Sequence, residues 1–382
     1  MRRDAPMRAG NRFKLALFSA NCSGGLARTL APERWDASWD HNVALARLAD
    51  AAGIDALIPV ARWRGLGGET GPAGYSHEST TWAAGLLALT QRICVFTTIH
   101  VALISPVFAA KALATADEIG CGRLCVNVVA GYNQSEFQMF GVTMLEHDER
   151  YALAEEWLEI VRRLWTSPAP FDFDGRHYQL RSAIGDPKPY GGMQPLLMSA
   201  GASGTGQAFA ARNADLLFMV AVEIDGLAQR LAALRASVPH RRIGVFTSGH
   251  VVCRPTQREA EDYYHYISTE MADQRAVDQV LVNRQNQQSI PPAQLALMRS
   301  RIAAGSGTFP VVGDPDRVAE TFRQLSDAGL DGMAIALTNY LDELPYFCEH
   351  VLPRMERLGL RAPFSPNEEE HNGTYTLAVS RP

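Results

Sequence analysis

The chain reads as an α/β protein folded as a TIM (β/α)8 barrel with insertions. Three observations lead there. Eight short apolar runs rich in β-branched residues recur along the sequence, most of them separated by helical patterns. Several of these runs are continuous rather than alternating, as expected of parallel strands covered on both faces. Eight β/α units also fit a chain of 382 residues, which is long enough to bury one large core. A doubly wound open sheet is the structural alternative. It lacks its usual mark, since no GxGxxG follows the first run. The glycine-rich Gly201-Ala202-Ser203-Gly204-Thr205-Gly206 comes after the fifth run and has the wrong spacing.

The strand-like runs cover 13–19, 55–60, 93–101, 124–129, 195–200, 216–220, 243–252 and 332–337. Amphipathic helical patterns over 41–52, 106–119, 149–165, 225–236 and 316–328 lie among them. Three stretches fall outside the repeat. Residues 167–195 are rich in Pro, Gly and aromatics and read as an excursion after the fourth helix. Residues 272–310 carry the polar run Asn283-Arg284-Gln285-Asn286-Gln287-Gln288 and read as a lid-like insertion. The tail 364–382, with Glu368-Glu369-Glu370, reads as flexible, as does the segment 1–12. The remainder, 13–363, is expected to form a single domain.

Composition narrows the function classes. The chain is 47% hydrophobic and 20% charged, with a formal charge of −5. It has no basic stripe, which argues against a nucleic-acid partner. No window reaches the roughly 18 apolar residues of a membrane span. The N-terminal Met1-Arg2-Arg3-Asp4-Ala5-Pro6 lacks a signal-peptide apolar run. The six cysteines form no CxxC pair, and no HxH, HExxH or carboxylate cluster is present. A cytoplasmic, metal-free protein is expected.

Several residue groups stand out as candidates for chemistry. Thr98 and Asn127 are polar residues near the ends of runs that otherwise read as core, where adjacent parallel strands would bring them to the barrel mouth. Buried polar groups need partners. His100 lies in the apolar run 97–101 and is a candidate for proton transfer or substrate contact. His77 precedes a helix, beside Glu78. Ser203 stands where a strand meets a helix start whose free N–H groups suit a phosphate. Arg150-Tyr151 open another helix and are able to complement that phosphate. Capping by Ser203 and a solvated Arg150 explain the same residues without any ligand. Arg62-Trp63-Arg64-Gly65-Leu66-Gly67-Gly68, after the second run, offers two cations for an anionic or carbonyl-bearing substrate.

Val126-Asn127-Val128-Val129-Ala130-Gly131-Tyr132, then Glu136, then His147-Asp148-Glu149-Arg150-Tyr151, resemble the flavin-binding core of the bacterial-luciferase-like monooxygenases. The resemblance covers roughly 13–363. The pyrimidine-oxidising subgroup is similar across Arg64-Gly65-Leu66-Gly67-Gly68, Gln91-Arg92-Ile93, Val126-Asn127 and Ala200-Gly201-Ala202-Ser203. The dimethylsulfone-oxidising subgroup is similar across Asn21-Cys22-Ser23-Gly24-Gly25-Leu26, Tyr75-Ser76-His77-Glu78-Ser79, His147-Asp148-Glu149-Arg150-Tyr151 and Val351-Leu352-Pro353.

The resemblance implies reduced FMN at the C-terminal face of the barrel. Arg150, Tyr151 and Ser203 would sit at its phosphate; Ala61, Arg62 and Asn127 would sit near its ring, and Glu136 matches a further cofactor position. Thr98 and Asn127 match residues around flavin-bound oxygen. The implied enzyme is a two-component monooxygenase. It takes reduced flavin from a separate NAD(P)H:flavin reductase and uses O2 through a flavin peroxide. It oxygenates a small polar substrate, with C–N or C–S cleavage among the possible outcomes. A homodimer or homotetramer is implied as well. Arg64, His100 and Tyr132 are the expected substrate contacts. Tyr132 stands where both subgroups carry Trp, His100 where the pyrimidine enzymes carry a small residue, and Ala61-Arg62 also departs. Two alternatives share the barrel: a deazaflavin-dependent hydride transferase and a non-catalytic flavin-binding protein.

Overall fold

The computed structural model describes residues 5–364 apart from 9, 202, 222, 239 and 283–291. In chain order its strands are β1 (Lys14–Phe18), β2 (Ala56–Ile58), β3 (Cys94–His100), β4 (Leu124–Val129), β5 (Phe171–Asp174), β6 (Gln179–Ala183), β7 (Leu196–Ala200), β8 (Leu216–Met219), β9 (Gly244–Cys253), β10 (Phe309–Gly313) and β11 (Gly332–Ala336). The helices are α1 (Trp39–Ala51), α2 (Ser79–Leu89), α3 (Pro106–Ile119), α4 (Gln134–Met139), α5 (His147–Thr166), α6 (Gly204–Asn213), α7 (Leu227–Ala236), α8 (Gln257–His265), α9 (Gln274–Val282), α10 (Pro292–Gly305), α11 (Pro315–Asp327), α12 (Tyr340–His350) and α13 (Leu352–Arg357).

Strands β1, β2, β3, β4, β7, β8, β9 and β11 pair in parallel in that order, and β11 pairs back onto β1. This is the closed eight-stranded barrel that the eight apolar runs predict. Side chains alternate across the wall. Ala16, Ala56, Phe96, Met198, Phe246 and Ala334 fill the interior, while Leu15, Leu17, Val95, Val126 and Val245 pack outward against the helices.

Three strands escaped the sequence reading. The antiparallel pair β5–β6 forms the excursion after α5, and most of its residues are exposed or half-buried, so it carries no apolar run. Strand β10 is short and contains Pro310. It pairs with β9 at Gly249–Cys253, on the edge that β8 occupies at Gly244–Thr247.

The N-terminal segment departs from the flexible arm expected of it. Ala5 and Met7 are buried among Ala16, Ala56, Cys94 and Phe96 at the N-terminal end of the barrel, and Arg8 donates to the Gln194 carbonyl at 3.2 Å. Apolar burial outweighs the chain's freedom there. Residues 1–4 and the tail 365–382 lie outside the described residues.

The insertion between β9 and α11 holds α8, a π turn over Tyr266–Glu270, α9 and α10. Ala272, Val277, Leu281, Ile302 and Ala303 give it a small core of its own. Asp273 ties it to the loop after β2: its carboxylate accepts from the Thr70 N–H and hydroxyl, both at 2.8 Å, and caps α9 through the Ala276 N–H at 3.0 Å. The polar run 283–288 lies outside the described residues.

Strand β3 is set in place by one carboxylate. Asp50, near the end of α1, accepts from the N–H groups of Gln91, Arg92 and Ile93 at 2.7, 2.9 and 2.6 Å. Those three donors have no strand partner, and the acceptor replaces one. Removing it leaves the buried Ile93 N–H unsatisfied, at roughly 1–3 kcal/mol, and strips the part-buried Gln91 and Arg92 N–H groups of their acceptor. Asp50→Ala is therefore expected to lower unfolding stability by about 3 kcal/mol. Urea denaturation checks this, and a midpoint unchanged from the wild type would show that the three bonds do not carry the strand entry.

Candidate active site

The polar residues predicted at the barrel mouth meet there. Thr98 and Asn127 are opposite each other on β3 and β4. The Thr98 hydroxyl donates to the Pro59 carbonyl at 2.7 Å and accepts from Asn127 Nδ2 at 3.2 Å. The threonine proton is thus committed to the end of β2. Asn127 keeps a carbonyl oxygen, Oδ1, that is buried without a protein donor.

His100 ends β3 and is 7% exposed. Its Nδ1 is also buried without a partner. Burial pushes its pKa down to about 4, with Glu136 pulling up and Arg62 pushing down as smaller influences. The ring is neutral at pH 7, so it acts as a hydrogen-bonding group rather than a cation.

Glu136, in the first turn of α4, reaches back to the loop after β2. It is 1% exposed, accepts from the Trp63 N–H at 3.0 Å and forms an ion pair with Arg62 at 3.5 Å. Arg62 Nη2 also donates to the Tyr132 hydroxyl at 2.8 Å. Burial opposes the Arg62 charge, but Tyr132 and Glu136 together hold its pKa above the ordinary value. Gly131 makes the turn out of β4 with φ +85°, and a Cβ there would lie 2.8 Å from the Phe137 ring. Only glycine suits both demands.

The expected substrate contacts divide. His100 lines a cavity of about 340 Å³ between the β2 and β3 ends, α2 and α3, as do Ala61 and Arg62. Arg64 is exposed and does not line it. Tyr132 is 71% exposed and also lies off the cavity, its hydroxyl held by Arg62. The two-arginine clamp therefore does not form: one cation is neutralised inside and the other faces solvent.

The second predicted cluster lies where α5 and α6 begin. Ser203 caps α6, accepting from the Gly206 N–H at 3.1 Å. Asp148 accepts from the Thr205 hydroxyl at 2.9 Å, which joins the two helix starts. Tyr151 lies so close that a Cβ on Gly206 would come within 2.5 Å of its hydroxyl. Arg150 is half-buried rather than solvated; it donates to the Gly131 carbonyl, and its Nε has no partner.

With this geometry in hand, residues 13–332 match the family model of the luciferase-like monooxygenases. The chain belongs to that family. It is similar to an FMNH(2)-dependent dimethylsulfone monooxygenase of Pseudomonas fluorescens (strain Pf0-1), with 31% identity over 358 residues that cover 91% of this chain and 96% of the relative. It is also similar to the pyrimidine monooxygenase RutA of Cronobacter turicensis, with 26% identity over 345 residues, 87% of this chain and 89% of the other. Among solved structures, DmoA from Hyphomicrobium sulfonivorans superposes with a TM-score of 0.81 at 20% identity, over 93% of this chain and 90% of that one. That likeness shows the shared barrel.

Within this luciferase-like barrel, sequence reasoning missed the second layer of the cavity. Ser79 donates to the Thr98 carbonyl at 2.7 Å, and Thr80 meets Thr97 hydroxyl to hydroxyl at 2.8 Å. Glu78 caps α2 by accepting from the Thr80 and Thr81 N–H groups at 2.9 and 2.7 Å. The signal was present as an acid followed by Ser79-Thr80-Thr81, a helix-start pattern.

Two buried histidines make stability depend on pH. Burial lowers His100 to about 4, and burial, with help from Arg301, lowers His250 to about 3. Their folded pKa values lie below the unfolded one, so the stability they contribute is complete above about pH 6.5 and is lost as pH falls below it. The loss is roughly 1 kcal/mol per histidine per pH unit between pH 6 and 4. Urea midpoints at pH 7, 6 and 5 are expected to fall steadily, and less steeply in His100→Phe. Parallel slopes in the two proteins would assign His100 an ordinary pKa.

Proposed function

We propose that this chain is an FMNH2-dependent monooxygenase that places one oxygen atom of O2 into a small substrate, taking its reduced flavin from a separate reductase. One observation carries the reading: unpartnered buried polar atoms, Asn127 Oδ1 at the barrel mouth and Arg150 Nε by the α5–α6 cradle, lie in the two places such a cofactor needs.

The residues present fit that cofactor. The first turn of α6 presents backbone N–H groups at Gly204 and Thr205 beside Ser203, Tyr151 and Arg150, a donor set that suits a phosphate. Asn127 Oδ1 needs a donor, and reduced isoalloxazine carries more ring N–H groups than the oxidised form. Bound reduced flavin would supply the activation of O2. The protein's own part is to hold and orient. Glu136 fixes Arg62 and the loop after β2 at the mouth; Thr98 fixes the Asn127 amide; and neutral His100 offers a ring nitrogen to the substrate. The dimethylsulfone relative, FMNH(2)-dependent by name, supports the cofactor, and both relatives, monooxygenases by name, support the reaction class.

The test is anaerobic titration of the apo-protein with reduced FMN, followed by admission of oxygen and analysis of product with 18O2. Arg150→Met is expected to weaken reduced FMN at least about tenfold, a change of roughly 1.4 kcal/mol, and to leave riboflavin binding unchanged. Asn127→Leu is expected to weaken reduced FMN more than oxidised FMN. Preference for a deazaflavin over FMN would move the chain to hydride transfer instead.

A further inference from the structure

The cavity beside His100 has a charge pattern that nothing in the two relatives' names dictates. Its walls divide by chemistry. Ile99, Ile104, Phe108, Ala109 and Ala112 form an apolar side, contributed by β3, by α3 and by the loop between them. His100, Thr98, Thr80 and Thr81 form a polar side.

Four lining residues are ionisable: Arg62, His77, Glu78 and His100. None presents a free charge to the space. Arg62 is bound by Glu136 and Tyr132. Both Glu78 oxygens are turned to the N-terminus of α2, where the helix dipole offsets them. His77 bonds through Nε2 to the Ala37 carbonyl at 2.9 Å. His100 is neutral, with Nδ1 unpartnered among buried atoms. A charged molecule entering here would lose hydration and gain no opposite charge, which is costly. A neutral molecule with one polar group would bury its apolar side against α3 and satisfy His100.

Resting on the monooxygenase reading, we infer that the substrate is an electrically neutral, two-sided molecule, apolar on one flank with a single hydrogen-bonding group on the other. A volume of about 340 Å³ gives room for roughly ten non-hydrogen atoms. Two lining residues carry a buried nitrogen without a partner, Arg62 Nε and His100 Nδ1. The Arg62 guanidinium is already held by Glu136 and Tyr132, so His100 sets where the polar group lies, and the α3 wall sets where the apolar flank lies.

Benzamide, benzoate and benzamidine have the same shape and differ in charge, so they test this directly. Isothermal titration calorimetry on the apo-protein at pH 8, without flavin, is expected to show benzamide binding at least tenfold tighter than either ion. Ala112→Phe fills the cavity from α3 and is expected to abolish benzamide binding, with its fold checked by thermal melting. Ala112→Leu serves if the larger residue is not tolerated. His100→Phe keeps the ring and removes the nitrogens, and is expected to weaken benzamide at least fivefold. Benzoate or benzamidine binding as tightly as benzamide would overturn the inference. So would absence of benzamide binding, or benzamide binding that survives both Ala112 variants. Because no flavin is present, failure to bind reduced FMN in the separate titration sinks the cofactor reading and leaves this result standing.

Discussion

A buried carboxylate holds the mouth of this barrel together. Glu136 sits on a short helix after β4 and grips the loop after β2 through the Trp63 N–H and the Arg62 guanidinium. The loop and the helix are separated by more than seventy residues, and neither is long enough to hold a fixed position alone. A carboxylate taken out of water must keep its partners. Its burial therefore fixes where Arg62 points, and with it how that cation meets the cavity. The Arg62 cation, tied down on two sides, becomes part of the wall.

Strand placement supplies the rest. Asp50 sets the entry of β3, the closed pairing sets its register against β4, and that register brings Thr98 beside Asn127. The chain that runs from a helix C-terminus to an amide at the mouth uses only hydrogen bonds between neighbours. Rigid strands carry these groups to within bonding distance, which loops alone do not do reliably.

The barrel was legible in the sequence because its strands are buried on both faces and therefore read as continuous apolar runs. Several of the wall strands show this, β2, β4 and β11 among them. β5 and β6 do not, since they are largely exposed, and β10 is broken by Pro310. At the site, Thr98, Asn127 and His100 were legible as polar residues inside apolar runs. Their hydrogen-bond directions were not: whether the Thr98 proton goes to a ligand or to Pro59 depends on a carbonyl from another strand. The arginine loop misled for a related reason. Sequence shows two cations together, but Glu136 lies far along the chain, so nothing local reveals that one is already neutralised while the other faces outward.

The packed N-terminal segment has a further consequence. With Met7 and Ala5 filling the lower end among Ala16, Cys94 and Phe96, and Met198 and Phe246 belonging to the same cluster, the barrel is a solid pillar rather than a pore. The strand ends that carry Thr98 and Asn127 therefore rest on a dry, close-packed base.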